Sequence, residues 1–246
     1  MEYYVVTGGA RGLGEEISRY FASKGKNVLI VYNESHDNAI KLKEELENKY
    51  NVSILTFKCD ISSDSDVSSL VKYIKSNNIN ITSLINNSGI CIDSLYEDKT
   101  KDNFMRTLEV NVYGTFNISR ALGNIMYESK KGSIVNLSST NGINKYFPLS
   151  IDYDASKAAI NSLTHNLALE YSPYVRVNAV APGWVKTESE MKDLDEDYIK
   201  SEEDKIYVKR MAEPIDVAKV IYFLTDDASS YINSEIIKVD GGSYGD

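Results

Sequence analysis

The 246-residue chain is poor in the residues that several kinds of protein need. Two cysteines, Cys59 and Cys91, are too few for a disulfide framework, so a reducing compartment, the cytoplasm, is the expected home. Two histidines, His36 and His165, stand far apart and away from any cysteine cluster, which leaves little from which to build a metal site, and none is expected. Basic residues number 27 against 36 acidic ones, a net charge of −9, the wrong sign for a general nucleic-acid binder. No apolar run reaches the ~18 residues of a membrane span. The opening "MEYYVVTGG" lacks the charged and apolar regions of a signal peptide and reads as a strand from its third residue. Four prolines occur, all isolated, and there is no long linker, repeat or low-complexity tract, so a single domain over residues 1–246 is expected.

What is present is alternation. "YYVV" from Tyr3, "NVLIVY" from Asn27, "VSILTFKC" from Val52, "SLINN" from Ser83, "SIVNLSS" from Ser133, "VRVNAVA" from Val175 and "EIIKVDG" from Glu235 read as strands. Most are continuous apolar runs, the signature of strands covered on both faces. Between them lie helical patterns over Leu13–Ser23, Asp37–Tyr50, Asp64–Ser76, Asn111–Glu128, Asp154–Tyr171 and Ile215–Thr225, the last preceded by Pro214. Alternation with right-handed crossovers predicts an α/β fold: a doubly wound Rossmann domain with a seven-stranded parallel sheet and helices on both faces.

"TGGARGLG", Thr7 to Gly14, joins the first strand to the first helix. Gly8, Gly12 and Gly14 allow a tight turn whose backbone N–H groups can approach a diphosphate at a helix N-terminus. The alternative is a turn that only packs helix on strand. At the end of strand two, where an NAD site usually carries an acid, stands Tyr32, and Arg11 in the glycine turn is placed to meet a 2′-phosphate; both favour NADP. Glu34, two residues on, is a contrary signal unless it turns to solvent, so NAD stays open. After strand three, Asp60 of "CDIS" either caps the next helix or accepts from an adenine amino group.

"YDASK" sets Tyr153 four residues before Lys157, but Tyr20 and Lys24, and Tyr127 and Lys131, share that spacing. Only Tyr153 follows a strand running into "LSS" and opens a helix with its lysine one turn on. Hydride transfer to a carbonyl leaves an oxyanion that needs a proton in the same event, and an ammonium beside a phenol favours the phenolate that remains.

With these motifs in order, including "NNSG" at Asn86–Gly89, "NVYG" from Asn111, "SST", "PGWVKT" from Pro182 and "VDGG" from Val239, the chain resembles the short-chain dehydrogenase/reductase family over nearly its whole length. The resemblance implies a catalytic tetrad of Asn111, Ser139, Tyr153 and Lys157. Ser139 would hold the substrate oxygen, Lys157 the nicotinamide ribose, and Asn111, at a break in its helix, a water that relays protons. Ser138 is the alternative serine, and simply beginning a helix is the alternative role for Asn111. Cofactor contacts are implied for Gly8, Arg11, Gly12, Leu13, Gly14, Tyr32, Asn33, Asp60, Ile61, Asn87, Gly89, Tyr153, Lys157, Pro182, Gly183, Val185 and Thr187.

Ser139 and Tyr153 are one residue further apart than the family's common spacing, which predicts an inserted residue in "NKYFPLSID". There Tyr146, Phe147 and Leu149 either face a substrate or pack on neighbouring elements. From Glu188 to Asp204 nine acidic residues meet two lysines. This is either a solvated helical surface or part of a mobile substrate lid over residues 188–210. "VYNES" and the glycine turn resemble those of 3-oxoacyl-acyl-carrier-protein reductases, which implies an acyl-thioester substrate; Lys130 and Lys131 could contribute to a docking face for an acidic carrier. A small ketone, sugar, polyol or steroid is the alternative, and a non-catalytic dinucleotide sensor or scaffold is the rival from another class. The family implies a homotetramer, with the chain's "VDGGSYGD" end in one contact.

Overall fold

Seven parallel strands form one sheet in the order β3-β2-β1-β4-β5-β6-β7. They are β1 (Glu2–Thr7), β2 (Asn27–Tyr32), β3 (Ile54–Lys58), β4 (Asn80–Asn86), β5 (Gly132–Leu137), β6 (Val175–Pro182) and β7 (Ile236–Val239). The structure is a computed structural model describing residues 1–192 and 194–242. The chain starts in the middle of the sheet, winds out to β3, then returns past β1 to β4 and winds the other way. The C-terminal ends of β1 and β4 meet at that reversal, where a doubly wound sheet opens a crevice.

The apolar runs are divided by the pleat, as strands covered on both faces require. Tyr4, Val6, Val28 and Ile30 pack on one side against α1 (Gly12–Ser23), α2 (His36–Lys49) and α9 (Pro214–Thr225). Tyr3, Val5, Leu29 and Val31 face the other side, with α3 (Asp64–Ser76), α5 (Thr115–Glu128) and α6 (Ile151–Tyr171). Pro214 is the first residue of α9 rather than the residue ahead of it, where a missing N–H costs nothing.

The expected helix beginning at Asn111 starts earlier. Thr100 caps α4 (Lys101–Leu108), accepting from the Asn103 N–H at 3.1 Å, and a wide π-helical turn over Glu109–Gly114 carries the chain into α5. Asn111 therefore lies in a break between two helical stretches, not at a helix start. The acidic segment forms α7 (Glu188–Met191) and α8 (Glu196–Lys205), with Asp195 capping the latter. Asp193 and the chain end from Ser243 to Asp246, where the expected end contact falls, lie outside the described residues.

One polar ladder crosses this apolar interior. Asn86 and Asn136 are register partners on β4 and β5, and Asn86 donates to Asn136 Oδ1 at 2.8 Å and to Ser119 of α5 at 2.7 Å. Asn136 in turn donates to Thr164 of α6 at 2.9 Å. All four residues are buried. No helix of the described residues is long and apolar enough to cross a membrane.

Candidate active site

The first βα turn is built for close approach. Gly8 and Gly12 adopt φ of +62° and +54°. At Gly14 a Cβ would fall 2.1 Å from the Gly8 carbonyl oxygen and 2.5 Å from Asn87 Nδ2, so only glycine fits. Asn87, from "NNSG", holds the turn from β4: its Nδ2 donates to the Thr7 carbonyl at 3.0 Å, and the Asn87 and Ser88 N–H groups both donate to Thr7 Oγ1 at 3.0 Å. Arg11 is the N-cap residue of α1 and makes no side-chain cap, so no side chain of its own covers the helix's first N–H groups. Arg11 is exposed and Leu13 half-buried. This arrangement fits the diphosphate of a dinucleotide.

At the expected adenosine end, Tyr32 closes β2 with its ring buried and its hydroxyl 2.6 Å from His36 Nδ1. Asn33 and Glu34 are exposed, so Glu34 does turn to solvent. Asp60 does not cap α3; Ser63 does, accepting from the Asp66 N–H. The Asp60 carboxylate instead accepts from the Ser62 N–H at 2.9 Å and the Ser62 hydroxyl at 2.6 Å, with Arg106 at 3.5 Å. Burial pushes its carboxyl up, and these hydrogen bonds with the Arg106 charge outweigh that, holding it below the usual carboxylate range. Ile61 is buried and its carbonyl accepts from Asn117.

Around the end of β5 and the start of α6 the chemistry-bearing side chains converge. Lys157 Nζ lies 5.3 Å from the centre of the Tyr153 ring and donates to the Leu137 carbonyl at 2.6 Å. Burial brings the Lys157 ammonium down to about 8. Gly89 sits against both Asn111 and Lys157: a Cβ there would be 3.3 Å from Asn111 Oδ1 and 3.8 Å from Lys157 Nζ. Asn111 Oδ1 accepts from the Ile90 N–H at 2.8 Å, while Nδ2 donates to the Ile90 carbonyl and to Ser156 Oγ. Both of its N–H donors are thus spent within the protein, and a water at Asn111 could be held only through an acceptor.

The two serines after β5 separate. Ser138 donates to the Lys157 carbonyl at 3.3 Å, which fastens it to the helix backbone. Ser139 instead donates to Asn141 Oδ1 and accepts from the Asn141 N–H at 3.2 Å. Gly142 presses on the same helix, with a Cβ position 2.6 Å from the Lys157 carbonyl carbon. The 14-residue spacing to Tyr153 is taken up partly by a 3₁₀ turn over Pro148–Ser150. Tyr146 and Phe147 are exposed, and Leu149 is half-buried with its carbonyl accepting from the Ser94 N–H.

Beyond β6, the Gly183 N–H bonds the Val239 carbonyl, and Val185 is buried with its neighbours paired to Ala212. Thr187 follows in a tight turn, its N–H on the Val185 carbonyl at 2.8 Å. This segment carries α8: Trp184 Nε1 donates to Glu202 at 3.3 Å, its ring meets Tyr198 edge-on, and Lys186 pairs with Glu203 at 2.9 Å. The Lys186 ammonium holds the Glu203 carboxyl below its usual range. No residue of α8 is buried, so its surface is solvated while these contacts pin it.

Sequence reasoning missed two supports of this site. Asp152, buried at the start of α6, pairs with Lys99 at 2.9 Å and accepts from Thr107 at 2.7 Å, tying the loop after β4 and α4 to α6. Burial raises its carboxyl, and Lys99 and Thr107 together hold it below the ordinary value. Asp154, inside "YDASK" itself, accepts from Asn141 Nδ2 at 2.7 Å and from the Phe147 N–H at 2.9 Å. Its position in the first helical turn was the available signal.

Residues 8–244 match the family described as enoyl-(acyl carrier protein) reductase. The chain belongs to the short-chain dehydrogenase/reductase family. It is therefore an oxidoreductase of a family that binds NAD or NADP. Aquifex aeolicus 3-oxoacyl-(acyl-carrier-protein) reductase is 33% identical over 241 residues, covering 98% of this chain and 96% of the relative. A sorbose reductase of Schizosaccharomyces pombe is 31% identical, covering 97% of this chain and 94% of its own. A 3-oxoacyl-(acyl-carrier protein) reductase from Brucella melitensis, solved with bound NAD, superposes with a TM-score of 0.87 at 31% identity, covering all of this chain and 91% of the other. Two relatives within two percentage points of identity thus carry different substrate names, and the choice between them rests on the site.

Proposed function

We propose that the protein is an NADP-dependent reductase of short 3-oxoacyl thioesters, with Tyr153 as the proton donor. The observation that carries the chemistry is the buried Lys157 ammonium 5.3 Å from the Tyr153 ring centre, at the end of the sheet where the glycine turn opens. When bound, the reduced nicotinamide supplies the hydride. Ser139 donates to the substrate carbonyl oxygen, and Tyr153 protonates that oxygen as its charge develops. Lys157 then stabilises the phenolate left behind. Asn111 clamps the Gly89–Ile90 segment beneath Lys157, and Val185 and Thr187 flank the place expected for the carboxamide.

NADP is favoured by the exposed Arg11 beside the glycine turn, by Tyr32 in place of an acid, and by Glu34 turned to water. A thioester is favoured by the exposed apolar rim of Ile143, Tyr146, Phe147 and Ile151 ahead of Tyr153. Residues 188–210 act as the lid, and α5 and α6 pair copies into a homotetramer, a reading supported by Leu169 standing 80% exposed on α6. A sugar or polyol is the second reading, favoured by a lid helix with no buried residue.

The test is NADPH consumption with acetoacetyl-coenzyme A, run beside NADH and the Tyr153→Phe variant. Turnover that needs NADPH and disappears in the variant supports the whole reading. Turnover with sorbose but not the thioester transfers the site to sugars. Turnover unaffected by Tyr153→Phe refutes the catalytic assignment.

A further inference from the structure

We infer that Asp154 and Asn141 are positioning residues that aim the Ser139 hydroxyl, an inference that rests on Ser139 facing the substrate as proposed above. Asp154 stands next to Tyr153 on the first turn of α6, and its two carboxylate oxygens accept from two separate points of the preceding loop: Asn141 Nδ2 at 2.7 Å and the Phe147 N–H at 2.9 Å. A carboxylate offers only acceptors, so the Asn141 side chain has one orientation available, with its amino group toward Asp154 and Oδ1 turned away. Oδ1 then meets the Ser139 hydroxyl at 3.4 Å, and the Asn141 backbone N–H fixes Ser139 Oγ at 3.2 Å.

The consequence is directional. With the Asn141 N–H on one lone pair and its own proton aimed at Oδ1, the Ser139 oxygen is held in a single rotamer. The bond to Oδ1 is at the long limit for a hydroxyl, so it yields at little cost when a carbonyl oxygen offers a better acceptor. Asp154 thus sets the donor on one side of the substrate oxygen from the same helical turn that carries the acid, Tyr153. Its second bond, to Phe147, fixes the exposed aromatic rim to the same point, so substrate contacts and the hydroxyl share one anchor.

Two measurements on the full chain test this. Hydrogen exchange of the cofactor-free protein should show amides of residues 139–147 exchanging about tenfold faster in Asp154→Ala, the order carried by two hydrogen bonds, with the core strands unchanged. Unchanged exchange there overturns the clamp, whatever the substrate proves to be. With NADPH and acetoacetyl-coenzyme A, Asp154→Ala and Asn141→Ala should each lower kcat about 3- to 10-fold without altering the KM for NADPH. In a Ser139→Ala background Asn141→Ala should have no further effect, because its route to the reaction has been removed. Multiplicative losses would overturn the action through Ser139. A Ser139→Ala enzyme with undiminished kcat would instead overturn the catalytic assignment of Ser139, a failure distinct from that of the clamp.

Discussion

Replacing Lys157 by methionine should make the cofactor-free protein more stable at neutral pH while abolishing its turnover. Lys157 is 6% exposed, its ammonium donates to the Leu137 carbonyl, and no carboxylate pairs with it among the described residues. Burial brings it from 10.5 to about 8. Between those values the unfolded chain holds a proton that the folded chain has released, so stability rises with pH across that window. Below about pH 8 both states are charged, and the folded state bears the full cost of burying the ion, about 3 kcal/mol. Methionine keeps most of the stem and removes the charge, but it leaves the Leu137 carbonyl without this donor, a loss of about 1 kcal/mol. The net is about 2 kcal/mol in favour of the variant at pH 7, or roughly 4–8 °C in Tm for a chain of this size. Parallel melts followed by circular dichroism from pH 7 to 10 should show that gap shrinking as pH rises through 8 and beyond. A variant that melts lower at pH 7, or a gap that is equal at pH 7 and pH 10, would refute the reasoning.

Tyr153→Phe should lower kcat by about 10²–10⁴-fold, as loss of the proposed proton donor requires, while titration by fluorescence still shows NADPH binding. Gly14→Ala should abolish NADPH binding in the same titration, because its Cβ would lie 2.1 Å from the Gly8 carbonyl oxygen and the turn must open to admit it. Lys99→Met leaves the buried Asp152 carboxylate without its ion partner and should cost about 3–5 kcal/mol in urea unfolding at pH 7. Because Lys99 holds that carboxyl down in the parent chain, the deficit should shrink as pH falls toward 5, where the variant can take up a proton that the parent refuses.

The sheet was legible because its signal is redundant: continuous apolar runs such as "NVLIVY" need no context to read as strands buried on both faces. Helix α4 was not read, although Thr100 three residues before Asn103 is a capping pattern, because "KDNFMRTL" offers little apolar periodicity. The break at Asn111 was expected from the motif, but its geometry depends on Ile90, 21 residues away, whose backbone takes both ends of the Asn111 amide. Of the two roles open to Asp60, helix cap or acceptor from adenine, the first rests on a local rule, and Ser63 takes it three residues on. The choice of Ser139 over Ser138 rested on the family pattern, in which a glycine, here Gly142, follows three residues later. It is supported by a contact no spacing reports, the hydrogen bond of Ser138 to the Lys157 carbonyl. The partners of Asp154 and Asp152, namely Asn141, Phe147 and Lys99, were not legible for the same reason: they are set by the path of loops.

The ladder Ser119–Asn86–Asn136–Thr164 constrains how such a sequence can diverge. An apolar replacement at Ser119 or Asn136 takes an acceptor from the buried Asn86 amide, and one at Thr164 takes an acceptor from that of Asn136, at about 1–3 kcal/mol each. Replacing the four together by apolar groups of matching shape removes donors and acceptors at once and costs far less. The leucines and isoleucines around them can be exchanged singly, with losses graded by volume. Descendants of this chain should therefore carry the ladder entire or lack it entirely, with few intermediates surviving between the two.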